Sequence, residues 1–526
     1  MRSGVVPVAG KGLRFGEISK RYPKCILPYK NKPILVHTIE YLFNIVECKE
    51  VVLVVNYGKD KIQEIVEAYF QEDPRIRFCV YEKDDGVAGS VLSGVEYCSP
   101  SSREVFVALG DMIIQSDIRE QTEFDNDFLS VTNIDQIDPS RWCMVYTSAY
   151  SGRTCFSDKS KEFIPTSKPL NGLYFIKDKD RFIQIGGLQK PLHRTSEWQL
   201  SEILSEYSDK WSIYPVSVLD FGTLPEYLEN RNISISREFN SILIQEDQVI
   251  KSSSKNPEKI YREYCWYKSS PKKIKRFLPS VYDSDFTFEY GSARYFMERI
   301  DYLTLREIYL FDSNDLQLWS EIIDKLFNVV DVFLHSTNQT TPSSVSFFKD
   351  ILKRTEERLA SVDKILPVGF VSTFEKQFQS TNTSLHFYHG DLCFSNVFYD
   401  LSTKRIKLID PRGEYYGSFK YDLAKLTHSF LGLYDLVDSE MYFITKENKI
   451  RLYSKNKKDL ALLWIRMLEE KFGSEVTEQV LILTSSLFFS MIPLHYHNKT
   501  NQELYYKIGS LIWNKDFSYL EENWEF

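Results

Sequence analysis

The sequence predicts an α/β protein in two parts, an open and mostly parallel sheet followed by a bilobal α+β domain. Three observations carry that prediction. Residues 5–9 (VVPVA), 51–55 (VVLVV) and 105–109 (VFVAL) are apolar throughout instead of alternating, the pattern of strands covered by helices on both faces. Residues 241–245 and 248–251 then have a hairpin pattern, and from residue 316 the apolar periodicity turns helical. Finally, at 526 residues the chain is too long for one core. At about 150 residues per domain it holds three or four structural units in two or more domains, and the division falls at residues 1–232 and 233–526.

Composition narrows the function classes. With 43% hydrophobic and 26% charged residues, both halves have the material for a core. A net charge of -8, a pI near 5.7 and the lack of a basic stripe argue against nucleic acid as a partner, because phosphate backbones need a clustered basic surface. Cys25, Cys48, Cys79, Cys98, Cys143, Cys155, Cys265 and Cys393 are scattered, without C-x-x-C or a Cys/His metal spacing, and read as reduced thiols of a cytoplasmic protein. The opening MRSGVVPVAGKG runs directly into a strand pattern and leaves no room for a signal peptide. The longest apolar stretch, residues 480–494, is broken by Thr484, Ser485, Ser486 and Ser490. It reads as a buried helix too short for a bilayer, so no membrane insertion is expected.

In chain order, the first strand pattern ends in Gly10-Lys11-Gly12-Leu13-Arg14, where Gly10 and Gly12 allow backbone N–H groups to approach phosphates. Alone, this is neither the dinucleotide fingerprint nor a P-loop. Pro23-Lys24 follows, then Lys32-Pro33-Ile34 before a helix pattern at 37–43. Residues 60–70 form an amphipathic helix, and a strand at 76–81 leads to Asp85-Gly86-Val87-Ala88-Gly89-Ser90 and a helix through Tyr97. The third buried strand ends in Gly110-Asp111, a carboxylate placed where open parallel sheets bind ligands. Residues 124–169 read as irregular, and a helix follows at 197–207.

The strand, the G-x-G-x-R loop, the P-K pair about ten residues on and K-P-I at a helix start resemble the nucleotidyltransferases that make nucleotide-activated sugars and alcohols. The nearest are the sugar-1-phosphate nucleotidyltransferases and the choline-phosphate cytidylyltransferases of bacterial surface-glycan pathways. This resemblance implies a Rossmann-like nucleotidyltransferase domain over residues 1–232, with Arg14 and Lys24 as fixed cations on the triphosphate. Asp111 and Asp220, the latter in Val218-Leu219-Asp220-Phe221-Gly222-Thr223, would hold Mg2+ as hard oxygen ligands. Gly86, Ala88 and Ser90 would lie under base and ribose; a helix start capped by Asp85 accounts for them equally. Residues 124–169 would build the acceptor pocket, and Leu170-Asn171-Gly172-Leu173-Tyr174 resembles the strand that covers the phosphorylated substrate in the family.

In the second half, Lys251 ends a hairpin strand and Glu263 follows in a helix pattern at 257–268, with Glu258 as the other candidate. A strand lysine held by a helix glutamate is the phosphate-positioning pair of kinase N-lobes. The densest motif is residues 385–413, LHFYHGDLCFSNVFYDLSTKRIKLIDPRG. Between two strand-like runs stand Asp391, Asn396 five residues later, and Asp410. This is the order of H-R-D-L-x-x-x-N and D-F-G, in which an aspartate receives a hydroxyl proton and an asparagine and a second aspartate hold magnesium. The alternative is that Asp391 and Asn396 only cap a loop.

With Gly390 replacing the arginine, the motif resembles the aminoglycoside phosphotransferase and choline kinase superfamily, which phosphorylates small alcohols, amino alcohols and sugars. The resemblance implies a bilobal protein-kinase-like domain over residues 233–526, with adenine read by backbone groups near Glu298 to Ile300. Asp422 would cap the following helix and brace the loop. Tyr415, Tyr416, Tyr434 and Trp464 either line an acceptor pocket suited to a cationic amine or a sugar, or belong to the core.

The expected protein is a bifunctional enzyme that phosphorylates a small alcohol or sugar with ATP. It then couples that phosphate to an NTP, releasing pyrophosphate and an NDP-activated precursor for capsule or other cell-surface glycan. CTP is favoured because PKCILPYKNKPI resembles the cytidylyltransferases. Mg2+ is the expected cofactor and ATP and the NTP are co-substrates; a homo-oligomer stays open. Two alternatives remain: a single active domain beside a regulatory or binding module, and a glycosyltransferase in the first half. The latter chemistry usually carries a D-x-D motif, which Gly110-Asp111-Met112-Ile113 lacks.

Overall fold

A computed structural model of the chain describes all residues except 31, 133–138, 160–163, 165, 191–196, 233–240, 246–247, 288–291, 312–314, 337–343, 380–383, 446, 455–456 and 523. The chain divides into two compact units, Met1–Ser234 and Ile235–Phe526.

In the first unit the three uniformly apolar runs become neighbouring strands. Arg2–Pro7 pairs in parallel with both Glu50–Val55 and Glu104–Ala108, and Ile76–Val80 extends the parallel half beyond Glu50–Val55. Their valines, among them Val5, Val52, Val54, Val105 and Val107, are fully buried. The helices Ile34–Asn44, Lys59–Phe70 and Val87–Tyr97 cover them, as parallel crossovers require. Gly94 permits the closest of these packings, since a Cβ there would stand 2.5 Å from Val5 and 2.6 Å from Val54.

Residues 124–169 correct the sequence reading. Instead of irregular chain they hold the strands Phe128–Val131, Cys143–Thr147 and Thr154–Asp158 and lead into the nine-residue strand Lys168–Ile176. That long strand runs antiparallel to Glu104–Ala108, Phe128–Val131 and Cys143–Thr147, so the sheet is parallel on one side and mostly antiparallel on the other. Its register shifts between Leu170 and Tyr174, around Gly172, whose φ of 97° needs glycine. The bulge turns Asn171 out of strict alternation.

The second unit opens with the antiparallel strands Ser241–Ile244, Gln248–Ser253, Ser292–Glu298 and Val281–Thr287, in that spatial order. The helix Pro257–Ser269 packs on them, started by Pro257 at its first position and by Asn256, whose side chain accepts from the Lys259 N–H. The remainder is mainly helical: Leu316–Leu334, Ser344–Ala360, Phe370–Gln379, Phe419–Phe430, Lys457–Phe472, Ser474–Met491 and Lys499–Trp513. The stretch read as too short for a bilayer belongs to a longer segment, Ser474–His495, which is long and apolar enough to cross a membrane by length and composition. Most of it is buried within the unit, and Thr484 and Ser485 bond the carbonyls of Val480 and Leu481 one turn back, at 2.7 and 3.2 Å.

Candidate functional site

The first site forms where Glu104–Ala108 ends. Gly110 brings the chain against the first strand, since a Cβ there would stand 2.3 Å from Val8. The strand Val218–Asp220 pairs antiparallel with Met112–Ile114, and the Phe221 N–H donates to the Asp111 carbonyl at 2.9 Å, so two distant carboxylates become neighbours. Lys24 forms an ion pair with Asp111 Oδ2. Gly12 lies beside the Lys24 stem with φ of 61°, a left-handed conformation that glycine adopts without strain. Gly10, the other loop glycine, is exposed with open space around it. Arg14, Asp111 and Asp220 line one cleft of about 210 Å³, together with Asn171, Tyr174 and Glu226.

The electrostatics of the two carboxylates diverge. Burial pushes the Asp111 carboxyl up, but the charge and hydrogen bond of Lys24, helped by Arg14, hold it below the usual carboxylate range. For Asp220, burial and then the negative charges of Asp111 and Glu226 push the carboxyl up to about 6, against the Gly222 N–H that donates to it at 2.8 Å. A divalent cation would relieve this repulsion, so the pair has the chemistry of a hard-metal site.

The Gly86 to Ser90 turn is not the Asp85-capped helix start that the sequence allows. Gly86 lies against the Trp198 backbone, where a Cβ would come within 2.5 Å of its carbonyl oxygen. Ala88 and Ser90 are buried, the Ser90 hydroxyl donates to the Val87 carbonyl at 2.9 Å, and it is Val87 that reaches the cleft wall. Asp85 caps no helix; its carboxylate accepts from the Tyr81 hydroxyl at 2.8 Å. Sequence reading missed Arg141 and Glu226, which form an ion pair on the cleft, and Ser130, which donates to Asn171 Oδ1. None carries a local signal, because each meets its partner only across the folded sheet.

In the second unit Lys251 joins two segments far apart in sequence. Its Nζ lies 2.5 Å from Glu263 Oε2 and 2.8 Å from Asp410 Oδ1, with the Lys251 and Glu263 side chains only 2% and 1% exposed. Glu258, the other candidate, is exposed at the helix start. Burial pulls the Lys251 ammonium down, but the charges of Asp410 and Glu263 outweigh it and leave it firmly protonated. Asp410 itself has φ of 56°, a conformation few non-glycine residues adopt, and its N–H donates to the Tyr267 hydroxyl at 3.1 Å.

The loop carrying Asp391 is fixed from below. Asp422 is buried and accepts the N–H groups of His389 at 2.9 Å and Gly390 at 2.8 Å; burial raises its carboxyl to about 7 despite both bonds. It braces the loop as expected, but the helix cap is Ser418, whose side chain accepts from the Lys420 N–H. Asn396 Nδ2 donates to the Asp391 carbonyl at 2.8 Å and to Oδ2 at 3.1 Å, which leaves the amide oxygen as the end suited to a cation. Lys425, absent from the sequence reading, places Nζ 3.0 Å from Asp391 Oδ1. Its signal was available, because it stands three residues after Asp422 and so on the same helix face.

Of the adenine candidates, the Glu298 N–H already donates to the Ser280 carbonyl at 2.8 Å, its carboxylate is 3.3 Å from Lys407, and Ile300 is nearly buried. Trp464 is core, stacked on Phe430 with its indole N–H donating to Thr427. Tyr434 stacks on His428, with ring centroids 4.0 Å apart.

Residues 4–121 match the family described as MobA-like NTP transferase domain, a stretch that holds Arg14, Lys24 and Asp111 and ends before Asp220. The bifunctional protein GlmU of Methanococcus maripaludis is 35% identical over 122 residues, which are 23% of this chain and 28% of GlmU. The mannose-1-phosphate guanyltransferase of Pichia angusta is 30% identical over 122 residues, 23% of this chain and 33% of the relative. The chain therefore matches about a third or less of either relative's length. A crystal structure of UDP-glucose pyrophosphorylase complexed with UDP-glucose aligns over 44% of this chain and 97% of its own, at 17% identity and a TM-score of 0.38. The first unit thus contains a MobA-like NTP transferase domain.

Proposed function

We propose that the chain is a bifunctional enzyme. The second unit phosphorylates a small alcohol or sugar with ATP, and the first couples that phosphate to an NTP, with CTP favoured, to give an NDP-activated product and pyrophosphate. The first half of this reading is supported by the NTP transferase match and by Arg14, Asp111 and Asp220 meeting on one cleft, with Lys24 paired to Asp111. The observation that carries the second half is the buried cluster in which Lys251 meets Glu263 and Asp410, on the loop whose Asn396 holds Asp391.

In the kinase step Asp391 accepts the proton of the attacking hydroxyl, while Lys425 and Asn396 keep its carboxylate charged and oriented. Lys251, held by Glu263, steadies the ATP phosphates. Asn396 and Asp410 in this unit, and Asp111 and Asp220 in the other, are the residues that would hold Mg2+. When bound, the metal supplies charge stabilisation to phosphoryl oxygens. In the transfer step a phosphate oxygen attacks the α-phosphorus, one P–O bond forms, the bond to the β-phosphate bridge breaks, and pyrophosphate leaves. Arg14 and Lys24 supply fixed positive charge where negative charge concentrates.

The test is mass spectrometry of products after the whole protein meets Mg2+, ATP, a mixture of CTP, UTP and GTP, and a panel of sugars, polyols and amino alcohols. The serial reading expects an NDP-linked product that disappears in both Asp391→Ala and Asp111→Ala, with the phosphate ester accumulating only in the latter. If no panel member is phosphorylated while an added phosphate ester is nucleotidylated, a single active unit is the better reading.

A further inference from the structure

The cleft of the first unit has two sides, and the sheet decides which residues stand on each. The strand Glu104–Ala108, which leads to Asp111, is the border: it runs parallel to Arg2–Pro7 on one side and antiparallel to Lys168–Ile176 on the other. The loop from Gly10 to Arg14 follows Arg2–Pro7 and belongs to the parallel side. Arg141 stands just before Cys143–Thr147, a partner of Lys168–Ile176, and belongs to the antiparallel side. Among the described residues that line the cleft, Arg14 and Arg141 are the cations. Each side therefore carries one guanidinium, and the reaction described above uses only the first.

Arg141 is held close to the two carboxylates of the border. Its Nη2 pairs with Glu226 Oε1, while Glu226 Oε2 accepts from the Thr223 hydroxyl at 2.8 Å. Glu226 in turn lies near enough to Asp220 for its negative charge to be felt there. A guanidinium has five N–H donors in a planar fork, and among the described residues only Nη2 of Arg141 is bonded. Donors therefore remain for a ligand. Stability does not account for the pair, because its side chains are 46% and 22% exposed and pairs so open to water contribute little.

Nucleotide transfer brings a second anion to the cleft besides the triphosphate, the phosphate of the acceptor. Asp111, Asp220 and Glu226 repel it, so a cation on its own side of the border has to offset them. A phosphate monoester ends in three oxygens. A guanidinium fork can hold two of them and leave the third to attack the α-phosphorus, where the new P–O bond forms and pyrophosphate leaves. A lysine would supply the charge without the two-point hold that aims the attacking oxygen.

Resting on the NTP transferase reading above, we infer that Arg141 binds the phosphate group of the acceptor, while Arg14 and Lys24 serve the triphosphate. The test uses the full chain labelled with 5-fluorotryptophan, because Trp142 lines the same cleft next to Arg141 and gives a local 19F resonance, assigned by its loss in Trp142→Phe. The probe is methyl phosphate, titrated in the presence of Mg2+. Arg141→Gln is expected to weaken methyl phosphate by about tenfold or more, and Arg141→Lys by about three- to fivefold. Glu226→Gln keeps an acceptor for Arg141 but removes a charge that faces the phosphate, so it is expected to bind the probe at least as tightly as wild type. In the product assay above, Arg141→Gln should raise the KM for the phosphate ester and leave the KM for the NTP within about threefold.

A Trp142 resonance that does not respond to methyl phosphate in the wild-type chain overturns the inference, as does unchanged binding by Arg141→Gln. Glu226→Gln weakening the probe as much as Arg141→Gln would show that the ion pair only shapes the wall, and a rise in the KM for the NTP would move Arg141 to the triphosphate; either result overturns it as well. If pyrophosphate release persists beside any of these results, the transfer reading stands without the inference. A chain that neither binds methyl phosphate nor releases pyrophosphate sinks both.

Discussion

Lys251→Met removes the cation from a buried cluster while keeping most of the side chain's volume. Glu263 would then be a buried carboxylate facing Asp410, with the Tyr295 hydroxyl at 3.3 Å and Lys259 at 3.9 Å left to ease it among the described residues. Breaking a buried pair in this way costs about 3–5 kcal/mol. The remaining contacts favour the lower end, and at about 2 °C per kcal/mol the second unit's unfolding transition falls by about 6 °C. The loss also depends on pH. Burial already raises Glu263, Lys251 counters it and Asp410 adds to the rise. Without Lys251 the folded-state value climbs further, so stability persists while Glu263 is protonated and is lost as pH rises through that value. Urea titrations at pH 5 and pH 8, followed by tryptophan fluorescence, should show the wider gap from wild type at pH 8. Adding Glu263→Gln should recover all but about 1 kcal/mol without restoring phosphorylation. A single variant that loses less than about 1 kcal/mol at pH 8, or a double variant no more stable than the single, would refute the reasoning.

Three other outcomes follow from the same geometry. Asp111→Asn removes the carboxylate shared by Lys24 and the cleft, so pyrophosphate release falls by about a thousandfold while ATP-dependent phosphorylation is unchanged. Lys425→Met removes a cation from Asp391 and should lower the phosphorylation kcat by about 10- to 100-fold with the KM for ATP nearly unchanged, and Lys425→Arg should recover part of it; steady-state kinetics on the full chain decide. Asp422, raised by burial to about 7, contributes stability that is present below its unfolded pKa and fades as pH rises toward 7. Relative to Asp422→Asn, the wild-type chain should therefore lose about 4 kcal/mol between pH 4 and pH 8 in urea titrations.

The parallel half of the first sheet was legible because a strand buried on both faces leaves an unbroken apolar run, as Val51 to Val55 does. The antiparallel half was not, because Cys143–Thr147 and Thr154–Asp158 are short, partly exposed and interrupted by polar residues. Lys168–Ile176 was legible only through the resemblance of residues 170–174 to a family strand, because its bulge at Gly172 breaks the alternation that marks a strand. The hairpin before Lys251 and the helix carrying Glu263 were legible, and so was the long helix from Leu316, since each announces its own period.

The sites divide along the same line. Asp391, Asn396 and Asp410 could be chosen from the sequence because their spacing lies within one loop and the strand after it, and the fold needs no further element to bring them together. Asp220 required a family pattern, since only strand pairing with Met112–Ile114 sets it beside Asp111. Glu226 had no signal at all: a glutamate in a nine-residue helix looks like any polar surface residue until Arg141 meets it on the cleft. What a motif reports is therefore the part of a site whose geometry is local. The rest is assembled by tertiary packing, as Arg141 and Glu226 are on the cleft that Asp111 and Asp220 line.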